Sequence, residues 1–306
     1  MAVTAATVTG DFAGFLKPEQ AEAYFRKAAR QSVVQSLARQ VPLGINGQEI
    51  PVVTTKPVAG WVAEGAQKPA TNGAMSLKTI TPKKIAAIAV VSAEVVRANP
   101  GDYINIFQDD IAEAFAIAFD AAALHGTSTP FGQNIDQTTK VVELGTTTVA
   151  NGGIYGDINA GLKLLVDDGK RLSGFGFDIA AEPVFNGAVD TSGRPLFVDA
   201  PYEGSSLQAG RLLARPALLG EGIKTPIVTG TPNTGGIVGY GGDWSQAVWG
   251  TVGGISYDVS TQATVTINGA LTSLWENNLV AIRAEAEYGF LVNDVAAFVK
   301  YTNHTA

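Results

Sequence analysis

The stretch Asp102-Tyr103-Ile104-Asn105-Ile106-Phe107-Gln108-Asp109-Asp110-Ile111-Ala112-Glu113-Ala114-Phe115-Ala116-Ile117-Ala118-Phe119-Asp120-Ala121-Ala122-Ala123-Leu124-His125-Gly126 carries the longest regular pattern in the chain. Asn99-Pro100-Gly101 breaks whatever precedes it, and Asp102 stands where a helix N-cap belongs. Ile104, Phe107, Ile111, Phe115 and Phe119 recur at spacings of 3, 4, 4 and 4, the period of one helix face. Gly126 is placed to end the helix. The spacing therefore predicts one helix from Tyr103 to about Gly126, roughly 36 Å of rod. The seven alanines between Ala112 and Ala123 allow close packing against a sheet or another helix. His125, at the helix end, reads as a cap and not as a ligand.

Working outward from this rod, Ile85–Val96 reads as a buried strand running into a short helix. Residues 45–84 hold Gly, Pro, Thr and Lys, with Trp61, Met75 and Leu77 as the large apolar exceptions. Turn signals at Gly44-Ile45-Asn46-Gly47 and Lys68-Pro69 make this a long β-hairpin projecting from the body. So long a segment with so little core of its own serves a function or an interface. Pro18 opens a helix running to about Gln40, with Phe25, Ala29, Val33 and Leu37 as its stripe. That stripe must be buried somewhere, another subunit being one place for it. Residues 1–16 form a small, polar arm.

Downstream, residues 127–150 are Thr-rich and β-like, and 154–169 form a second helix ending at Gly169. A mixed α/β stretch of short strands follows, with Gly-rich loops at 200–210 and 229–242. Asn278–Glu287 and Gly289–Val299 read as two strands around a turn.

Composition narrows the function. The chain has 306 residues, 46% hydrophobic, with no Cys and two His. Disulfides, thiolate metal sites and a cysteine nucleophile are excluded, and a histidine-rich metal site is not expected. No 20-residue apolar run suits a membrane span. The net charge of −7 argues against a general nucleic-acid binder. The charge is also split. Residues 1–97 hold 11 Lys/Arg and 6 Asp/Glu, a net of +5, and residues 98–306 hold the remaining 10 and 22, a net of −12. A basic front and an acidic body can attract each other within or between chains.

The patterns that carry enzyme chemistry are missing. Gly174-Phe175-Gly176 and Gly239-Tyr240-Gly241 each lack the third glycine of a dinucleotide fingerprint. No P-loop, G-x-S-x-G elbow or H-E-x-x-H occurs. Asp167 and Asp168 are adjacent on a helix and point apart. The Lys and Arg residues between Lys56 and Arg97 lack the interleaved aromatics of a nucleic-acid groove. No cofactor, metal or catalytic residue is expected.

Particular stretches resemble the major capsid proteins of tailed double-stranded-DNA bacteriophages, the Hong Kong ninety-seven type fold. Trp61-Val62-Ala63-Glu64-Gly65 followed by Lys83-Lys84-Ile85-Ala86 is similar to that family's extended loop and its return strand. Val91-Ser92-Ala93-Glu94-Val95-Val96 resembles the step into its spine helix. Gly193-Arg194-Pro195-Leu196 and Leu213-Ala214-Arg215-Pro216 resemble turns of its axial domain. Gly241–Ala247, Leu274–Glu285 and Asp294–Lys300 resemble its C-terminal signature.

The resemblance implies an α+β fold with five parts: an N-terminal arm with helix (1–44), an extended hairpin loop (45–88), a peripheral domain with spine helix (89–140), an axial domain (141–268) and closing peripheral strands (269–306). It implies a structural protein, not an enzyme, that assembles with its own copies into hexamers and pentamers of an icosahedral head around double-stranded DNA. Portal, scaffolding and decoration proteins are the further partners implied, with the virion as location and the host bacterial cytoplasm as the place of assembly. Fewer than 20 residues precede the arm helix, so scaffolding is expected to be a separate chain or dispensable. Phe25, Trp61, Lys68, Lys83, Lys84, Asp109, Asp110, Glu113 and Trp244 are the interface candidates, with the basic hairpin lying on a neighbour's acidic spine. One branch of the family joins subunits through a Lys–Asn isopeptide bond assisted by a Glu. The matching positions here are Lys78, Asn278 and Glu285. Two other readings are a cellular nanocompartment shell of the same fold and, from another class, a soluble α/β hydrolase or ligand-binding protein.

Overall fold

The computed structural model describes residues 32–65, 67–98, 103–188, 198–199, 208–226 and 235–303. In chain order the elements are α1 (Val33–Leu37), β1 (Arg39–Gln40), β2 (Gln48–Thr55), β3 (Ala74–Ile80), β4 (Lys83–Ser92), α2 (Ala93–Ala98) and α3 (Tyr103–Asp120). Then come β5 (Val141–Leu144), α4 (Gly153–Asp167), β6 (Gly174–Asp178), α5 (Glu182–Asn186), β7 (Val198–Asp199), β8 (Gln208–Leu212) and β9 (Arg215–Gly220). The last are β10 (Ile237–Gly242), β11 (Ala247–Thr251), β12 (Ser256–Ser260), β13 (Thr264–Ile267), β14 (Ala270–Ser273), β15 (Leu279–Val292) and β16 (Phe298–Asn303). Mixed helix and sheet in this arrangement is an α+β fold.

α3 is the expected rod. It widens after Asp120 into a π-helical turn, Ala121–His125, and Gly126 closes it in the left-handed region at φ 68°. Burial lowers the proton affinity of His125, and its Nδ1 lies 2.9 Å from the Tyr240 hydroxyl. The expected cap is thus a ring bonded to a neighbouring strand.

β15 is the axis of a five-stranded sheet. β4 runs antiparallel along one edge, from Leu279↔Ser92 to Tyr288↔Lys83. Along the other edge β12 covers Ala281–Glu285, β11 covers Tyr288–Val292, and β1 adds parallel to β11. Strand alternation puts Ala284 and Ala286 on one face, where they pack against Ile111 and Phe115 of α3. Leu279 and Ala281 take the opposite face, with Val90, Leu274 and the β13–β14 hairpin residues Val265 and Ile267.

The second sheet has seven strands in the order β5-β16-β10-β6-β9-β8-β7. α4 lies on it through Ile158, Gly161 and Leu165. The two sheets meet in a shared core of Val33, Val34, Phe119, Tyr240, Trp244, Trp249, Phe290 and Phe298.

Four sequence expectations change here. The described part of the Gly-rich stretch 229–242 is mostly β10, an interior strand buried at every position. A Cβ on Gly239 would stand 2.1 Å from the Phe177 ring, and one on Gly242 would stand 2.5 Å from the Phe298 ring. These glycines make room for aromatic rings instead of a loop tip. At the C-terminus no turn divides 278–299, because β15 runs unbroken through Gly289. Gly289 is there for close approach: a Cβ would meet Ile80 and Leu43 at 2.8 Å.

Of the helix read from Pro18 to about Gln40, residues 18–31 lie outside the described residues; α1 starts after Ser32, an extended N-cap, and stops at Leu37, short of Gln40. Arg39 and Gln40 pair instead with Val248 and Trp249, which gives their backbone a strand ladder. Its Val33 and Val34 are fully buried on the same molecule, not on another subunit. Finally, the sheets cut across the sequence boundaries. β11 and β12, from within 141–268, belong to the sheet of the spine, and β16, from 269–306, belongs to the seven-stranded sheet. Ladder pairing with β15 and β10 decides this, and it is invisible to composition.

Candidate assembly surfaces

The long hairpin is present. β2 and β3 pair from Gln48↔Ile80 to Thr55↔Ala74. Only its root enters a core, where Ile80 packs with Val41, Leu43 and Val248. Lys78 secures the stem by donating from Nζ to the Asn293 carbonyl at 2.6 Å. Beyond the stem, the Val58 amide donates to Thr71 Oγ1 at 2.9 Å and holds the two sides of the loop together. Every described residue from Lys56 to Gly73 is exposed, including Trp61 and Lys68. An indole left wholly in water contributes nothing to its own fold.

The spine offers a contrasting surface. Asp109 and Asp110 are exposed and Glu113 is half-buried. Asp109 and Glu113 border a groove completed by Ser32, Gln35, Trp249 and Tyr288. Lys83 and Lys84 are exposed at the start of β4. Lys84 Nζ pairs with Glu285 Oε2 at 3.1 Å, so part of this basic edge is already matched within the chain.

Trp244 is not a surface residue. It is 2% exposed, donates from Nε1 to the Gly174 carbonyl at 3.1 Å and meets the Phe298 ring edge-on. It is a core residue, since that strand crossing needs a large ring with one polar tip satisfied. Phe25 lies outside the described residues, as do the 193–196 turn and residues 200–207 of the first Gly-rich loop.

The three cross-link candidates are not brought together. Asn278, at φ 52°, lies just before β15, and its amide donates to Glu94 Oε1 at 2.5 Å. Hydrogen bonds, first from its own backbone amide and then from Ser92 and Asn278, hold the Glu94 carboxyl below its ordinary range. Glu285 is seven residues further along the strand, about 23 Å away at the usual rise. It faces Lys84 and Arg283, and Lys78 is tied to Asn293 past the far end of β15. Any bond between Lys78 and Asn278 therefore joins different copies.

Sequence reading missed two features. Trp275, 76% exposed, stands in the turn before β15, and Leu271, 79% exposed, lies on β14. The signal was in the run Leu274-Trp275-Glu276-Asn277-Asn278, where a tryptophan stands among turn residues. The second is buried. Asp120 accepts from Ser32 Oγ at 2.5 Å, from the Val33 amide at 2.9 Å and from the Val34 amide at 3.3 Å. Burial pushes its carboxyl up to about 6, against the pull of those three donors.

Among the described residues, no group of three His, Asp or Glu side chains converges on a metal position, and no helix is long and apolar enough to cross a membrane.

The model of the Phage capsid family matches residues 13–303. Two curated relatives, named probable major capsid protein gp17, come from Mycobacterium phages D29 and L5. Each is 46% identical, with 96% of this chain and 92% of the relative covered. A solved structure from Gordonia phage Cozz has the same fold, with a TM-score of 0.73 at 24% identity, covering 97% of this chain and 94% of that one.

Proposed function

The chain belongs to the phage capsid family, and from that premise we propose that its copies close into the hexamers and pentamers of an icosahedral head around double-stranded DNA. Its role is structural, that of a tailed-phage major capsid protein in the virion. The nanocompartment and hydrolase readings find no support beside these relatives.

One observation carries the assembly reading. The hairpin extends through residues 48–80 with only its root in a core, and its tip leaves Trp61 in water. A limb of this kind gains stability only when a neighbour covers it. Many such contacts, closed by symmetry, make a shell from weak individual interfaces. In this reading α3 and the five-stranded sheet form the peripheral part, and the seven-stranded sheet with α4 forms the axial part around the symmetry axes. The acidic spine surface at Asp109, Asp110 and Glu113 receives the basic hairpin of a neighbour. Assembly takes place in the host cytoplasm with a portal, and scaffolding and decoration proteins are its further partners.

The test is the mass of the expressed chain by size-exclusion chromatography with light scattering, followed by imaging. Megadalton closed particles are expected. A monomer or dimer under every condition overturns the assembly reading. Denaturing gel electrophoresis of those particles separately tests the Lys78–Asn278 bond: a ladder of covalent multimers is its signature, and monomer bands alone remove it.

A further inference from the structure

The first described residue, Ser32, lines a groove of about 530 Å³ together with Asp109, Ala112, Glu113 and Ala116 of α3, and with Trp249 and Tyr288. That is room for several side chains, far more than a bound water needs. One wall carries an unmet demand. Trp249 is 9% exposed, and its Nε1 has no hydrogen-bond partner among the described residues. A buried N–H of this kind calls for an acceptor.

Ser32 also sets where the preceding chain can go. Its backbone is extended, φ −65° and ψ 125°, so α1 does not continue back through it. Its hydroxyl is bonded to Asp120. Glu113 and Asp109 lie seven and eleven positions back along the spine from Asp120, about 10 Å and 16 Å away. A chain leaving Ser32 covers 16 Å in about five extended residues or eleven helical ones.

The residues that precede Ser32 lie outside the described ones, and their composition suits the groove. Phe25-Arg26-Lys27-Ala28-Ala29-Arg30-Gln31 holds three cations and no anion, and all three fall within that reach of Asp109 and Glu113. Glu113 is half-buried, so a cation paired with it is screened less than one in open water.

We propose that residues 25–31 seat in this groove of their own chain, with Arg26, Lys27 and Arg30 against Asp109 and Glu113 and with a carbonyl of the segment accepting from Trp249 Nε1. The groove is a receptor for the arm root, and it fixes the direction in which the rest of the arm departs. The contact lies within one subunit, so it stands independently of the capsid reading. Asp110 is exposed and does not line the groove, which leaves it open to a neighbour's hairpin.

The test uses the full chain, prepared in light and heavy nitrogen and mixed before refolding. It is treated with a carbodiimide, which joins a lysine amine to a carboxylate as an amide while the reagent takes up the water released. Mass spectrometry is expected to find Lys27 linked to Asp109 or Glu113, with each linked pair of peptides wholly light or wholly heavy. Absence of either product overturns the proposal. Pairs of mixed isotope also overturn it, because they assign the groove to the arm of a second copy. Charge exchange gives a second reading. Arg26→Glu, Lys27→Glu and Arg30→Glu together are expected to lower the melting temperature of the subunit by about 3 °C. Asp109→Lys with Glu113→Lys should do the same, and all five combined should recover most of the loss. Additive losses overturn the pairing.

Discussion

Ser32 Oγ donates to Asp120 Oδ1 across 2.5 Å, although 88 positions separate them in sequence. The Val33 and Val34 amides complete the set, so the last α-helical residue of the spine caps the short helix that follows residue 31. Asp120 is 2% exposed, and removing it strands three buried donors. Asp120→Ala is expected to destabilise the unassembled subunit by about 3 kcal/mol or more, read as a lowered denaturation midpoint.

The same residue sets a pH dependence. Its carboxyl is raised from an ordinary 3.8 to about 6 in the folded chain. Below about 4 it is protonated in both states, and its contribution to stability is full. Between about 4 and 6 the unfolded chain has released the proton and the folded chain still holds it, so stability falls as pH rises. Above 6 the loss is complete, on the order of 3 kcal/mol. Asp120→Asn cannot titrate and should lack this slope in unfolding experiments from pH 4 to 7; an unchanged slope would falsify the assignment.

Asp157 organises a loop in the same way. It is 2% exposed and accepts from the Gly145 amide at 2.7 Å, the Thr147 amide at 3.2 Å and the hydroxyls of Thr146 and Thr147. Asp157→Ala should lower stability by about 2–4 kcal/mol. Hydrogen exchange should show the amides of Gly145 and Thr147 losing protection first.

Gly161 tests how tightly α4 packs. Glycine inside an exposed helix is ordinarily improved by alanine, by about 1 kcal/mol. Here a Cβ would stand 2.2 Å from the Tyr301 hydroxyl oxygen on β16, and Tyr301 is fully buried. Gly161→Ala is therefore expected to destabilise, by about 1–3 kcal/mol, with a lowered melting temperature. A rise would show that α4 can move away freely.

Trp244 and Trp61 should behave oppositely. Trp244→Ala empties a core site and is expected to remove about 3–5 kcal/mol from the isolated subunit. Trp61→Ala should shift that melting transition by no more than about 0.5 kcal/mol, since the ring touches only water, while weakening the particle.

Contacts between the basic hairpin and an acidic spine should weaken with salt. Raising ionic strength from 0.1 M to 1 M shortens the screening length from about 10 Å to about 3 Å. Particles are expected to dissociate at lower denaturant in the higher salt. Salt-independent dissociation removes the electrostatic part of the assembly reading.

The spine helix was legible because its period and its end are local: Phe107, Ile111, Phe115 and Phe119 lie on one stripe, and only Gly126 suits the left-handed closing position. The hairpin was legible by default, as a long segment without apolar periodicity. Strand partners were not. Nothing local says that Arg39 pairs with Val248, or that β15 continues through Gly289. Glycine was the main source of error, because one residue serves both turns and close packing. Gly239 and Gly242 look like loop material until the rings of Phe177 and Phe298 are seen above them.

Sequence by itself determined the spine helix and the projecting limb, since both depend on residue type and short-range spacing, while the class of protein came from stretches that resemble a known family. Tertiary structure alone decided which tryptophans are buried and which are offered to a neighbour, which strands share a sheet, and that Asp120 holds Ser32. Those depend on contacts between residues tens to hundreds of positions apart, and burial is a property of the whole packed chain, not of any stretch within it.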